Sequence, residues 1–121
     1  MKKIADPIYL VLEPRAEGGM LVRVLAKNKF PFSEVVPQGG DVIATVARVR
    51  QKFTAVIVRA HIGSFSASRA ALVAANVFAA TRSTPIHFVE SEIETPEQIA
   101  FALAHASTFS YQREAHITMP T

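Results

Sequence analysis

Two groups of side chains in this sequence are of types that can do chemistry: the run His61-Ile62-Gly63-Ser64-Phe65-Ser66, and the carboxylates Glu13, Glu90, Glu92 and Glu94. A serine hydrolase needs its nucleophile at the centre of a Gly-x-Ser-x-Gly elbow, whereas Gly63-Ser64-Phe65-Ser66-Ala67 puts Phe65 there. His61 is close to Ser64 and Ser66, but Asp6 and Asp41 are the only aspartates and neither is placed to orient an imidazole. The Gly63-Ser64 turn can offer backbone N–H groups to an anion, yet it lacks the lysine and the several glycines of a phosphate cradle. Two-metal phosphodiester cleavage requires carboxylates converging from several strand ends. Glu13 and Glu90 are available for that, but Arg59 stands at the end of the central strand. Glu90, Glu92 and Glu94 alternate with Ser91 and Ile93 as a solvated acidic loop, without the full oxygen shell that Ca²⁺ takes. His87, His105 and His116 are too dispersed for a metal site. No catalytic set, metal or cofactor is therefore expected, and the chain is read as a non-enzyme.

The elements that position these residues belong to a chain of 121 residues, in the range of a single domain over 1–121. Half the residues are hydrophobic and 19% are charged, a composition that supports a packed core rather than disorder. The absence of cysteine excludes disulfides, thiolate metal sites and a cysteine nucleophile. A charge and a proline interrupt Met1-Lys2-Lys3-Ile4-Ala5-Asp6-Pro7 before any apolar stretch of signal length, which predicts a cytoplasmic protein. Ala70 to Ala80, the most apolar window, is far shorter than the ~20 residues of a membrane span. The net charge of +3 comes from scattered basic residues, so a solvated surface is expected and contact with nucleic acid only indirectly.

Ile8 to Leu12 reads as a buried strand closed by Pro14 and Gly18-Gly19, and Met20 to Lys27 alternates as a second strand. Arg23 points to the same side as Leu21 and Leu25. Asn28-Lys29 turns the chain into a third strand, Phe30 to Val36, where Pro31 predicts an edge position or an early bulge. Asp41 caps a helix expected to run to about Phe53, with Val42, Val46, Val49 and Phe53 as its core stripe. Ala55 to Val58 is a continuous apolar strand, and Ser66 caps a second helix to about Thr81. Ile86 to Val89 is a fifth strand. Thr95-Pro96-Glu97-Gln98 opens a third helix to about Ala106, with capping-box spacing and proline at its first position. The order βββαβαβα predicts an α/β fold, a five-stranded mixed sheet with helices on both faces, of the ribonuclease-H-like or actin-like ATPase single-lobe type. Residues 107–121 are a tail or an extra strand around Ala115 to Met119.

Eleven of the fourteen residues from Ala67 to Ala80 are apolar, more than one buried face needs. Ala67, Ala71, Ala74, Ala75 and Phe78 form one face, and Ala70, Val73, Val77 and Ala80 another. On the first helix, Ile43 and Ala47 make a small patch beside Arg50. Together these predict a docking surface drawn from Ile43, Ala47, Arg50, Ala70, Ala74, Val77 and Phe78, for a protein partner or a homodimer.

His61-Ile62-Gly63-Ser64-Phe65-Ser66-Ala67-Ser68-Arg69, continued through Ala70 to Ala75, resembles the motif of the bacterial tRNA threonylcarbamoyladenosine biosynthesis family TsaB, also called YeaZ. That family carries Gly-Pro-Gly-Ser-Phe-Thr-Gly-Leu-Arg-Ile-Gly after a strand and at the head of an Ala-rich helix. Gly63, Ser64, Phe65, Arg69 and Leu72 match, and Ser66 stands for threonine. His61 and Ile62 replace Gly-Pro, Ala67 and Ala71 replace glycines, and Glu13-Pro14-Arg15 stands where the family has Asp followed by Thr or Ser. The resemblance covers about residues 8 to 106, corresponding to the family's N-terminal lobe. It implies a non-catalytic subunit that docks through its lobe's helices onto a related TsaD-like ATPase subunit, or onto itself, in tRNA threonylcarbamoyladenosine (t6A) modification. An alternative from the residues is a small nucleotide- or RNA-binding domain using the Gly63 turn with Arg15, Arg59 and Arg69.

Overall fold

The computed structural model describes residues 6–15, 18–59, 73–78, 80 and 83–110. In chain order the elements are β1 (Ile8–Pro14), β2 (Met20–Ala26), β3 (Lys29–Val36), α1 (Val42–Ala47) and β4 (Ala55–Arg59). They continue with α2 (helical at 73–78 and 80), β5 (Pro85–Val89), α3 (Pro96–Ala104) and β6 (Ser107–Ser110). All six strands form one mixed sheet in the order β3-β2-β1-β4-β5-β6. The pairs β1·β4 and β4·β5 are parallel, and the other three are antiparallel. The five expected strands are all present. The sixth follows α3 directly and covers the edge of β5, with Ile86 opposite Phe109 and His87 opposite Thr108; the span 115–119 lies outside the described residues.

The two continuous apolar runs take the centre of the sheet, because only there are both faces of a strand covered. Leu10, Val11 and Leu12 on β1 and Val56 and Ile57 on β4 are fully buried and pair in register, Leu10 with Val56 and Val11 with Ile57. Strand alternation then divides the core in two. Leu10, Leu12, Val22, Val24, Val56 and Ile86 face α1 and α2, where Val46, Phe53, Ala74, Ala75 and Phe78 meet them. Val11, Leu25, Ile57 and Val89 face α3, which supplies Ile99 and Ala102. Phe53 and Phe78 pack edge to face, 6.1 Å between centroids. Helices thus flank both faces of the sheet, with α1 and α2 on the same side.

Local chemistry sets the boundaries. Gly19 has φ +86, and a Cβ there would fall 2.6 Å from the Val36 carbonyl oxygen, so the β1–β2 connection needs glycine at that point. The β2–β3 turn is centred on Lys27 and Asn28, at φ 54 and 62, one residue earlier than the spacing predicts; both centre residues have the left-handed geometry of a two-residue hairpin loop. Pro31 is in the edge strand and also at a bulge: Val24 pairs with Phe32 but Ala26 with Lys29, which leaves one extra residue on β3. That bulge turns Phe30 to the α3 side, while Phe32 packs on the α1 side.

Asp41 caps α1 as expected, accepting the Ala44 N–H at 3.0 Å. The helix ends at Ala47, well short of Phe53. β-branched Val42, Ile43, Thr45, Val46 and Val49 form helix weakly, and the chain has to reach β4 at once. Thr54 locks that approach, with its N–H donating to the Ile8 carbonyl at 2.7 Å and its hydroxyl to the same oxygen at 3.1 Å. Val49 and Phe53 still join the core, from the irregular segment that follows the helix. The α3 capping box forms as the spacing predicts: the Gln98 N–H donates to Thr95 Oγ1 at 3.1 Å, and Gln98 Oε1 accepts from the Thr95 N–H at 3.2 Å.

His87 on β5 is half-buried beside Tyr9, 6.4 Å between ring centroids, and burial holds its pKa below the ordinary 6.5. As pH falls, the unfolded chain takes up this proton first, so stability is lost from about pH 6.5 downward toward the lower folded-state value. Melting temperatures measured against pH are expected to show that acid-side loss diminished in His87→Phe.

Candidate functional site

Two regions bring together residues of the expected kinds. The first is the outer side of α1 and α2. Asp41 starts α1 beside the Gly39-Gly40 turn, and α2 crosses the same sheet face, so Ile43 and Val73 line one shared groove. Ile43 is 43% exposed, Val73 58% and Val77 37%. Val73 and Val77 are four residues apart, one turn along the same helix face. Ala47 is exposed at the end of α1, and Arg50 is exposed beyond it, past the Arg48 cap. Arg48 ties this end of α1 to the edge strand through Glu34, Nη2 to Oε2 at 2.6 Å; the pair holds the Glu34 carboxyl below and the Arg48 guanidinium above their ordinary pKa values.

Two members of the expected docking surface lie elsewhere. Ala74 and Phe78 are 2% and 6% exposed, packed into the core between α2 and the sheet. Of the two apolar faces of the second helix, the one with Ala74, Ala75 and Phe78 meets the sheet, and the one with Val73 and Val77 faces outward. Ala70 lies outside the described residues, as do the motif positions Gly63, Ser64, Phe65, Ser66 and Arg69 and also His61 and His116.

The second region is a buried charge cluster on the α3 side of the sheet. Glu13 stands one residue before the end of β1, Arg59 ends the neighbouring parallel strand β4, and Arg23 projects from β2 to the same side. Arg23 Nη2 donates to Glu13 Oε1 at 3.2 Å, and Arg59 Nη1 donates to Glu13 Oε2 at 2.9 Å, so each carboxylate oxygen accepts from a different guanidinium. Arg23 also clamps the β5–α3 connection, with Nη2 donating to the Ile93 carbonyl at 2.7 Å and Nη1 to that of Glu94 at 3.2 Å. Phe30, turned inward by the bulge, lies over its guanidinium at 4.5 Å. Burial pulls the Arg23 pKa below its ordinary value; Glu13 and then Glu94 oppose the shift, and Arg15 adds to it. Arginine keeps its proton under these conditions.

The sequence places Glu13 and Arg59 near strand ends, and the structure joins them. Arg23 lies on the side that strand alternation predicts, and it is buried there, which alternation alone does not say. Its sequence signal is an arginine between Leu21 and Leu25 in a strand that a two-sided sheet must cover. The acidic residues Glu90, Glu92 and Glu94 are exposed, and among the described residues no three His, Asp or Glu side chains converge on a common point. His105 caps α3 with its ring 4.7 Å from that of Phe101. No helix among the described residues is long and apolar enough to cross a membrane. In comparisons with known proteins, no family model, no curated protein and no solved structure matches this chain.

Proposed function

We propose that this is a ribonuclease-H-like single lobe acting as a non-catalytic interaction subunit, similar to TsaB of tRNA threonylcarbamoyladenosine modification, and that it docks a protein through the outer faces of α1 and α2. The observation that carries the reading is the exposure of Ile43, Val73 and Val77 on two helices that share one face of the sheet. A meander of three strands followed by two parallel crossover units supports the lobe type. Glu13 fits a non-catalytic role, because both of its oxygens accept from the guanidinium groups of Arg23 and Arg59, where two-metal chemistry would need them on a metal ion. The partner is a TsaD-like ATPase subunit or a second copy of this chain.

Light scattering after size exclusion tests both partners. The chain is expected to run as a dimer at micromolar concentration across a range of salt, or to form a complex with a TsaD-like subunit. Ile43→Asp with Val73→Asp is expected to weaken that association at least tenfold, equivalent to about 1.4 kcal/mol, while leaving the circular dichroism spectrum intact. A chain that stays monomeric and ignores a TsaD-like subunit, or a double variant that associates like the wild type, sinks the reading.

A further inference from the structure

Buried polar atoms without partners are rare in folded proteins, and a buried guanidinium donor without an acceptor is costly. Two of the three such side-chain atoms among the described residues belong to one cluster: Nε of Arg23 and Nε of Arg59. Their guanidinium groups bind opposite oxygens of the same carboxylate, so the two donors lie in a single small region of the α3 side.

The two arginines are used differently. Arg23 commits both Nη atoms, to Glu13 and to the carbonyls of Ile93 and Glu94, and is held under the Phe30 ring. Arg59 gives Nη1 to Glu13, and its buried Nε has no partner, so the side edge that Nε forms with Nη2 keeps a donor for another acceptor. That edge is a planar two-donor fork, the geometry that matches two oxygens of a carboxylate or a phosphate. The side chain is 15% exposed as a whole while Nε itself is closed off from solvent, so an anion reaches that donor only as the neighbouring atoms give way.

Charge points the same way. Arg23 and Arg59 carry two positive charges against the single negative charge of Glu13, and Arg15 and Glu94 both act electrostatically on Arg23. The five groups together hold one positive charge in excess. Position agrees as well: Arg59 sits at the carboxyl end of β4, between neighbours β1 and β5. The helices that follow β4 and β5 lie on opposite sheet faces, and ligands of open α/β sheets bind outside strand carboxyl ends where connections diverge in this way.

We propose that the side edge of Arg59 is an oxyanion-binding site, with Glu13 orienting the guanidinium, Arg23 fixing Glu13, and a phosphate or carboxylate group as the ligand. The site is on the face of the sheet opposite to the α1–α2 docking surface and does not depend on it.

The test uses the Nε–H resonances of the arginine side chains in the full chain, titrated with inorganic phosphate and separately with acetate, at ionic strength held constant with chloride. The Arg59 Nε–H is expected to shift saturably, while that of exposed, ion-paired Arg48 stays in place. Saturating phosphate is also expected to raise the melting temperature by about 5–10 °C, and Arg59→Gln to lose that rise. A larger response to phosphate assigns the site to phosphoryl groups; a larger response to acetate assigns it to carboxylates. An Arg59 Nε–H that moves with neither anion, or that moves equally when chloride replaces them, overturns the proposal. This resonance is read on the wild-type chain, so the result stands even if Arg59→Gln fails to fold.

Discussion

Glu13→Ala is expected to lower the unfolding free energy by about 3–5 kcal/mol, the usual cost of breaking a buried ion pair from one side. The loss comes less from the contacts removed than from what stays behind. Arg23 is 6% exposed and cannot lose its proton, so without Glu13 it is a buried cation held only by two backbone carbonyls and an aromatic face. Arg59, at 15% side-chain exposure, relieves part of its own charge by turning toward water, which puts the loss toward the lower end of the range. Glu13→Gln keeps an acceptor and should fall between the two. Urea denaturation is the measurement, with the midpoint displaced and the slope unchanged if the native state keeps its compactness. A loss below about 1 kcal/mol would show the cluster to be as weakly coupled as an exposed pair.

Ala74→Arg is expected to prevent folding, or to cost more than about 4 kcal/mol, through overpacking and burial of an unpaired charge. Ala74 is 2% exposed, close under α2 against a sheet face made by Leu10, Leu12, Val56 and Ile86. Its neighbour in sequence has the opposite environment: Val73 is 58% exposed, and Val73→Arg is expected to leave stability within about 0.5 kcal/mol of wild type. The pair of variants therefore reads the orientation of α2 directly, by thermal melts. If Ala74→Arg melts like wild type, α2 does not face the sheet in this way, and the docking surface would return to the Ala74 and Phe78 side.

Most of the strand framework was legible because strands announce themselves through period and punctuation. Continuous Ile8 to Leu12 and Ala55 to Val58 mark the doubly covered centre; Asp41 and Thr95 mark helix starts; Pro31 marks an edge strand with a bulge. Each of these signals acts within a few residues, where backbone geometry and one hydrogen bond decide the outcome. The end of α1 was not legible, because its apolar spacing continues to Phe53 whether the backbone stays helical or not, and the lock between Thr54 and Ile8 acts across the chain. β6 escaped for a similar reason: Ser107 to Ser110 is only four residues, with Thr108 and Phe109 too short a run to show a strand period, and it pairs where β5 offers an open edge.

The sequence by itself determined the order of the first eight elements, the alternation that puts Arg23 with Leu21 and Leu25 on one side, and a second helix too apolar for a single buried face. Only the tertiary structure decided which face of that helix meets the sheet, because alanine and valine are both apolar and the choice depends on how closely the helix must approach Leu12 and Val58. The same holds for charge. Arg23 and Arg59 stand 10 and 46 positions after Glu13 along the chain, and neither spacing announces a contact. Three strands laid side by side bring them within hydrogen-bond distance, and the low dielectric between sheet and helix makes that meeting costly to disturb.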